Sequence, residues 1–235
     1  MTLLQGLGLR GGYGGADILH GCDICAERGE ITVVVGPNGA GKSTAMRALI
    51  GLTVLREGRV LLDGEDVKAL SPPDRVRAGM AFVPQTRNVF PSMTVEENLE
   101  MGALLRRSGV AEAKRRVYAL FPALAEKRRQ QAGELSGGQR QQVALGRAMM
   151  TEPAVLMLDE PTASVSPMVM DELFERILAI AADGVAVLMV EQNARQALEI
   201  ADRGHVLVNG RNKFNDRGSA LLAAPEVRRS FLGGQ

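Results

Sequence analysis

Three largely apolar runs punctuate the chain, at Ile31–Val35 (with Thr32 inside it), 154–158 and 185–190. Each is strand-length and none alternates with polar positions, the pattern of strands buried on both faces beneath covering helices. Between the runs the apolar period lengthens. Ala45, Met46, Leu49 and Ile50 share one face of a helix expected to begin at Ser43, and a second helix is expected from about Met168 to Ala182. Residues 1–35 read as short strands with glycine turns, the last strand lying between Gly29 and Gly36. Arg59 to Asp63, followed by Gly64, reads as a strand entering an Asp-Gly turn, and 206–208, Asn209-Gly210 and 211–214 as a hairpin.

The middle third follows another rule. Residues 94–150 are rich in Ala, Leu, Glu and Arg with helical spacing and little β-branching. Thr94-Val95-Glu96-Glu97 fits a capping box, and Pro122 interrupts the helical run at 117–121. The expected organisation is one α/β domain over 1–235, with an N-terminal antiparallel β subdomain. Its core covers about 1–90 and 151–235, and an α-helical subdomain is inserted at about 91–150.

Composition narrows the classes. Of 235 residues 46% are hydrophobic and 23% charged, ordinary globular values. The net charge of +1, from 28 basic and 27 acidic residues, gives no electrostatic case for nucleic acid as the main partner. The apolar runs fall far short of a membrane span of roughly 18–20 residues, and no basic patch precedes the first apolar stretch as in a signal peptide. A cytoplasmic protein is expected. Cys22 and Cys25 sit three apart on what reads as an extended segment, so their side chains point to opposite faces, with Cα atoms roughly 10 Å apart, beyond disulfide reach. Both read as structural.

The strand Ile31–Val35 leads directly into Gly36-Pro37-Asn38-Gly39-Ala40-Gly41-Lys42-Ser43-Thr44, matching G-x-x-x-x-G-K-[S/T]. Glycines let successive N–H groups turn inward around phosphate oxygens, Lys42 reaches the β- and γ-phosphates, and Ser43 offers its hydroxyl to Mg²⁺. The following helix directs its positive end at the same phosphates. The strand at 154–158 runs into Asp159-Glu160-Pro161-Thr162. An acid at the end of a buried strand is costly unless paired or facing a cation, so Asp159 fits a role in holding Mg²⁺. Glu160, one residue beyond, is placed to polarise an attacking water as general base. The bland alternative for this pair is a helix cap at the strand end.

A third motif, Leu135-Ser136-Gly137-Gly138-Gln139-Arg140, has the logic of another anion site. Ser136 can cap the helix through Gln139, and Gly137 and Gly138 allow a phosphate close to the backbone. With all three motifs in register, the chain resembles the ABC ATPases over nearly its full length. The resemblance implies a P-loop NTPase (RecA-like) core that binds and hydrolyses ATP with Mg²⁺. It implies a head-to-tail dimer in which Ser136, Gly137, Gly138 and Gln139 contact the γ-phosphate held by the opposite subunit. Gln85, after the apolar run Met80–Val83, matches the glutamine that senses Mg²⁺ and water, and Tyr13 the aromatic that stacks on adenine. A permease coupling helix is expected to dock near 87–93.

Two positions depart from the family pattern. The switch residue after the strand at 185–190 is commonly histidine, but here the run is Val190-Glu191-Gln192-Asn193, with Gln192 in that place. Its neutral amide can donate to the γ-phosphate yet cannot carry an imidazolium's charge. In Thr162-Ala163-Ser164-Val165-Ser166-Pro167, Ser166 stands where aspartate is common. The Gln192 region, residues 90–98 and the tail at 225–234 are similar to the ATP-binding subunits of branched-chain amino-acid importers, and urea and short-chain amide importers share much of the pattern. Such systems imply two permeases, a second and non-identical ATPase subunit, an extracytoplasmic solute-binding protein, and a place on the inner face of the cell membrane. Lipid exporters share the ATPase motifs. A DNA- or ribosome-acting ABC protein would carry a coiled-coil insertion or a second cassette, and a small-molecule P-loop kinase would not need 135–139.

Overall fold

The computed structural model describes residues 2–106, 108–163 and 165–231. β1 (Thr2–Tyr13) and β2 (Ala16–Glu27) form a long antiparallel pair, followed by β3 (Ile31–Val35) and α1 (Lys42–Ile50). β4 (Val54–Leu62), β5 (Glu65–Asp66), α2 (Pro72–Arg77) and β6 (Met80–Val83) come next. The helical middle holds α3 (Val95–Gly102), α4 (Val110–Leu120), α5 (Pro122–Glu126) and α6 (Gly137–Met149). β7 (Val155–Asp159), α7 (Pro167–Ala182), β8 (Ala186–Val190) and α8 (Ala194–Glu199) return to the α/β pattern. β9 (Arg203–Val208), β10 (Arg211–Arg217), α9 (Gly218–Ala223) and α10 (Pro225–Phe231) complete the described chain.

The strands make two sheets. One is antiparallel, in the order β2-β1-β4-β5. The other runs β10-β9-β3-β8-β7-β6, in which β9, β3, β8, β7 and β6 are parallel and β10 closes one edge as the second arm of a hairpin. Every residue of β3, β7 and β8 is buried. Their side chains alternate between two cores. Ile31, Val33, Leu156, Leu158, Val187 and Met189 face the core shared with α6 and α7, whereas Val34, Val155, Met157, Leu188 and Val190 face the one shared with α1 and the antiparallel sheet. Continuous apolar runs are therefore what this sheet demands.

The amino-terminal segment corrects the sequence reading. Its strands are long, twelve residues each, and most of the glycines lie within them. A Cβ on Gly11 would fall 2.0 Å from the Val54 carbonyl oxygen of β4, so that glycine marks close backbone approach; the register shifts in β1 mark bulges. The chain turns at Gly14-Gly15 and again at Arg28-Gly29. β4 likewise begins at Val54, five residues before the expected start, because pairing with β1 carries the strand through Arg56, Glu57 and Gly58, which break the apolar pattern between Leu55 and Val60. Elsewhere the predicted features are found. Thr94 and Glu97 form a reciprocal capping box, Pro122 divides α4 from α5, and Asp63-Gly64 and Asn209-Gly210 make turns. Both cysteines are free, Cys22 buried and Cys25 partly so; burial pushes the Cys22 thiol up to about 12.

Arg75 of α2 locks the far end of α1. Its guanidinium, 3% exposed, donates to the carbonyls of Ala48 and Leu49 at the end of α1 and of Lys68 and Leu70 before α2. A cation at a helix carboxyl end complements its dipole and satisfies carbonyls that lack partners within the helix. Arg75→Met should therefore destabilise the chain by about 2–4 kcal/mol, read as a lowered midpoint in urea denaturation.

Candidate active site

Four parallel strands end at one edge of the sheet, and each releases a loop there: 36–41 after β3, Pro84-Gln85 after β6, Glu160 after β7 and Glu191-Gln192 after β8. Ligands in open α/β sheets bind outside such carboxyl ends. Residues distant in sequence meet here because the order of the strands, 3-8-7-6, is not their order along the chain.

The loop from Gly36 to Gly41 wraps toward α1. Gly36 (φ 149°) has no room for a side chain, since a Cβ would lie 2.1 Å from the Leu207 carbonyl oxygen of β9. Gly41 (φ 99°) precedes α1 and brings no capping side chain, which leaves first-turn N–H groups free of one. Lys42 is buried, and its Nζ donates back to the carbonyls of Gly36 (2.9 Å) and Pro37 (3.2 Å). Burial pushes the Lys42 ammonium below its ordinary range, while Glu160 and Asp159 pull it back up. Asn38 and Gly39 are exposed at the loop tip, and Ala40 and Thr44 are buried beneath it.

The acidic pair faces this loop. Asp159 is 2% exposed and accepts a hydrogen bond from the Ser43 hydroxyl at 2.7 Å. That contact sets aside the helix-cap alternative, since the carboxylate reaches across to α1 rather than to its own succeeding helix. Glu160 adopts φ 49°, uncommon for a residue with a Cβ and typical of functional sites. Its N–H donates to the Val190 carbonyl (2.9 Å) and its Oε2 accepts from Gln85 Nε2 (2.7 Å). Gln85 thus contacts Glu160 rather than the Ser43–Asp159 pair.

Two expected residues lie at the periphery. Tyr13 is exposed at the end of β1, its hydroxyl accepting from Arg47 of α1 at 3.1 Å. Gln192 is exposed just past β8. Ser136 opens α6 as predicted. Its Oγ accepts from Gln139 N–H (3.3 Å), and Gln139 Oε1 accepts from Ser136 N–H (3.2 Å) and from Lys127 Nζ (3.4 Å). Gly137 is exposed and Gly138 buried. A Cβ on Gly138 would sit 2.2 Å from Val169 Cγ1 of α7, so the absence of a side chain there also serves close packing of the two helices. Ser166 begins α7 without capping it; Ser164 and residues 232–234 of the tail lie outside the described residues.

Sequence reasoning passed over Glu191. It is 1% exposed; its Oε1 accepts from Thr162 N–H (3.0 Å) and Oγ1 (2.8 Å), and its Oε2 from Gln192 N–H (3.2 Å). Burial pushes its carboxyl up, against the pull of those hydrogen bonds. An acid ending a wholly apolar strand, the signal that exposed Asp159, was also present here. A cavity of about 890 Å³ at the opposite end of the sheet brings Cys25 within 3.8 Å of His205 and His205 within 3.0 Å of Asn215. Burial raises the Cys25 thiol pKa and lowers that of His205, which does not favour an activated nucleophile.

With this geometry in place, the comparisons with known proteins are specific. The family model for ABC transporters matches residues 19–163. The chain belongs to the ABC transporter ATPase family. It is 42% identical to the high-affinity branched-chain amino acid transport ATP-binding protein BraG of Pseudomonas aeruginosa, covering 94% of this chain and 96% of that protein. It is 40% identical to the probable branched-chain amino acid transport ATP-binding protein LivF of Archaeoglobus fulgidus, over 98% and 99%. At 30% identity it matches the lipopolysaccharide export ATP-binding protein LptB of Haemophilus influenzae, over 100% and 99%. An ABC transporter cassette solved in its ADP conformation superposes with a TM-score of 0.89 at 29% identity, covering 99% of both chains. This ABC ATPase thus has the α/β P-loop fold expected of it and hydrolyses ATP.

The packing of α6 on α7 in this ATPase can be tested directly. Gly138→Ala should destabilise it by about 1–3 kcal/mol through overpacking. Val169→Ala in the same chain should restore most of the loss, read as paired thermal melting curves.

Proposed function

We propose that this ABC ATPase is the ATP-binding subunit of an importer that drives uptake of branched-chain amino acids (leucine, isoleucine and valine) across the cytoplasmic membrane. The observation that carries the reading is the 40–42% identity to two branched-chain amino acid transport proteins over nearly the whole chain, against 30% to the lipopolysaccharide export protein. The Val190-Glu191-Gln192-Asn193 run is consistent with it. The second reading, export of a lipid, rests on that weaker likeness; urea or short-chain amide import is the alternative within importers.

In this mechanism the 36–44 loop cradles the phosphates through Gly36, Pro37, Asn38, Gly39, Ala40, Gly41, Lys42, Ser43 and Thr44, while Tyr13 stacks on adenine. Lys42 exchanges its carbonyl contacts for phosphate oxygens. The Ser43 hydroxyl and the buried Asp159 carboxylate form an adjacent pair of hard oxygen donors, which fits Mg²⁺. Among the described residues no cluster of three acidic, His or Cys ligands exists, so phosphate and water would complete the coordination. Mg²⁺ when bound neutralises phosphate charge, held by Ser43 and Asp159 with Gln85 nearby. Glu160 accepts a proton from the attacking water, Gln85 positions that carboxylate, and Gln192 donates its amide to the γ-phosphate.

Ser136, Gly137, Gly138 and Gln139 would face the ATP of a second, non-identical ATPase subunit in a head-to-tail dimer. Two permeases would receive the motion on the inner face of the membrane, and an extracytoplasmic binding protein would select the solute. A permease would dock near 87–93, where Phe90 is 42% exposed and covered on one face by the Arg147 guanidinium at 5.0 Å.

Glu160→Gln should keep ATP affinity while lowering kcat by about 10²-fold or more; near-normal turnover excludes Glu160 as the base. For the substrate, cells lacking the chain should lose uptake of labelled leucine and regain it with the wild-type chain but not with Glu160→Gln. Unchanged leucine uptake together with lost urea uptake would assign the alternative substrate.

A further inference from the structure

Glu191 lies outside the three motifs, yet the structure uses its whole carboxylate. A buried acid is costly unless its oxygens are satisfied. Here both oxygens accept hydrogen bonds, and every donor belongs to a segment flanking the site: Thr162, two residues after Glu160, and Gln192 itself. Thr162 is also buried, at 8% exposure, so the contact is shielded from water. A second link runs the other way, from Glu160 N–H to the Val190 carbonyl. Glu160 holds a left-handed backbone conformation, which persists only where its surroundings impose it. The turn 160–163 is anchored at one end by the β7–β8 ladder and at the other by Glu191.

We infer that Glu191 is a positioning residue whose carboxylate ties the turn carrying Glu160 to the segment carrying Gln192, holding base and switch at one separation during ATP hydrolysis. The inference rests on the base and switch roles proposed above. A residue that merely filled this place would be apolar, like the residues of β8 that precede it. Glu191 instead bridges two strand ends that share no backbone hydrogen bond at that level beyond Glu160 to Val190 among those described. Thr162 supplies both its N–H and its hydroxyl, so the turn is held in orientation as well as in distance.

The test is a double-mutant cycle on the full-length chain, with ATP hydrolysis measured over a range of ATP concentrations. Thermal melting and equilibrium binding of a fluorescent ATP analogue accompany each variant. Glu191→Leu should lower kcat by about tenfold or more with KM changed by less than about threefold, and Thr162→Val should lower kcat by about threefold. The double variant should be no slower than Glu191→Leu alone, because both remove the same tie. Glu191→Gln keeps an oxygen for Thr162 and loses the acceptor for Gln192 N–H, so it should fall between wild type and Glu191→Leu. If Glu191→Leu does not fold, the cycle of Glu191→Gln with Thr162→Val decides by the same criterion. Effects that multiply independently, a change in KM alone, or lowered melting with unchanged kcat would overturn the inference. Normal kcat in the Glu191 variants beside an inactive Glu160→Gln overturns the inference alone. Normal kcat in Glu160→Gln overturns the base assignment instead, and the cycle still reports whether Glu191 and Thr162 act as one unit.

Discussion

Burial of the parallel sheet on both faces is the constraint from which the rest follows. β3, β7 and β8 have no exposed residue, so no polar group can leave the sheet sideways without losing its hydrogen bonds to water. Apart from the buried Thr32 hydroxyl inside β3, polar side chains of these strands are confined to their ends. At the carboxyl edge the chain places a glycine loop, three carboxylates and two glutamines within hydrogen-bonding reach of one another's elements. The same burial that stabilises the core thus gathers the site.

Three bonds at that edge cross from one element to another. Ser43 of α1 reaches Asp159 of β7, Gln85 beyond β6 reaches Glu160 beyond β7, and Glu191 beyond β8 reaches Thr162. Further out, Asn88 donates to Gln141 of α6 at 2.6 Å, both side chains buried, which joins the loop of Gln85 to the helix opened by Ser136. A shift in any loop is therefore felt at its neighbours through short, directional contacts rather than through a soft apolar interface.

The antiparallel sheet is attached by different means. Asn212 of β10 accepts from Asp23 N–H and donates to the Asp23 carbonyl, both at 2.7 Å, so a side-chain amide pairs with β2 much as a neighbouring strand would. His205 of β9 extends this clip, accepting from Cys25 N–H at 3.4 Å while its other nitrogen meets Asn215. Burial lowers the His205 pKa, which suits the neutral imidazole that this acceptor role needs. α1 packs between the two sheets, so the clip also helps fix the helix that follows the phosphate loop.

The local signals in the sequence were enough for the elements of the core. Continuous aliphatic runs specify doubly buried strands, Thr94 and Glu97 specify a helix start, Pro122 a break, and the spacing from Gly36 to Thr44 a phosphate loop, because each is decided by neighbours within a few residues. Asp159 and Glu160 were legible for the same reason. What the sequence left open depends on partners far along the chain. The glycines of β1 looked like turns until β4 was seen pressed against Gly11, the packing role of Gly138 was invisible until Val169 of α7 stood against it, and Glu191 had no visible role until Thr162 stood opposite it. A side chain's type is local information, but the surface that it must fit is made by strand order, and only the tertiary structure decides that.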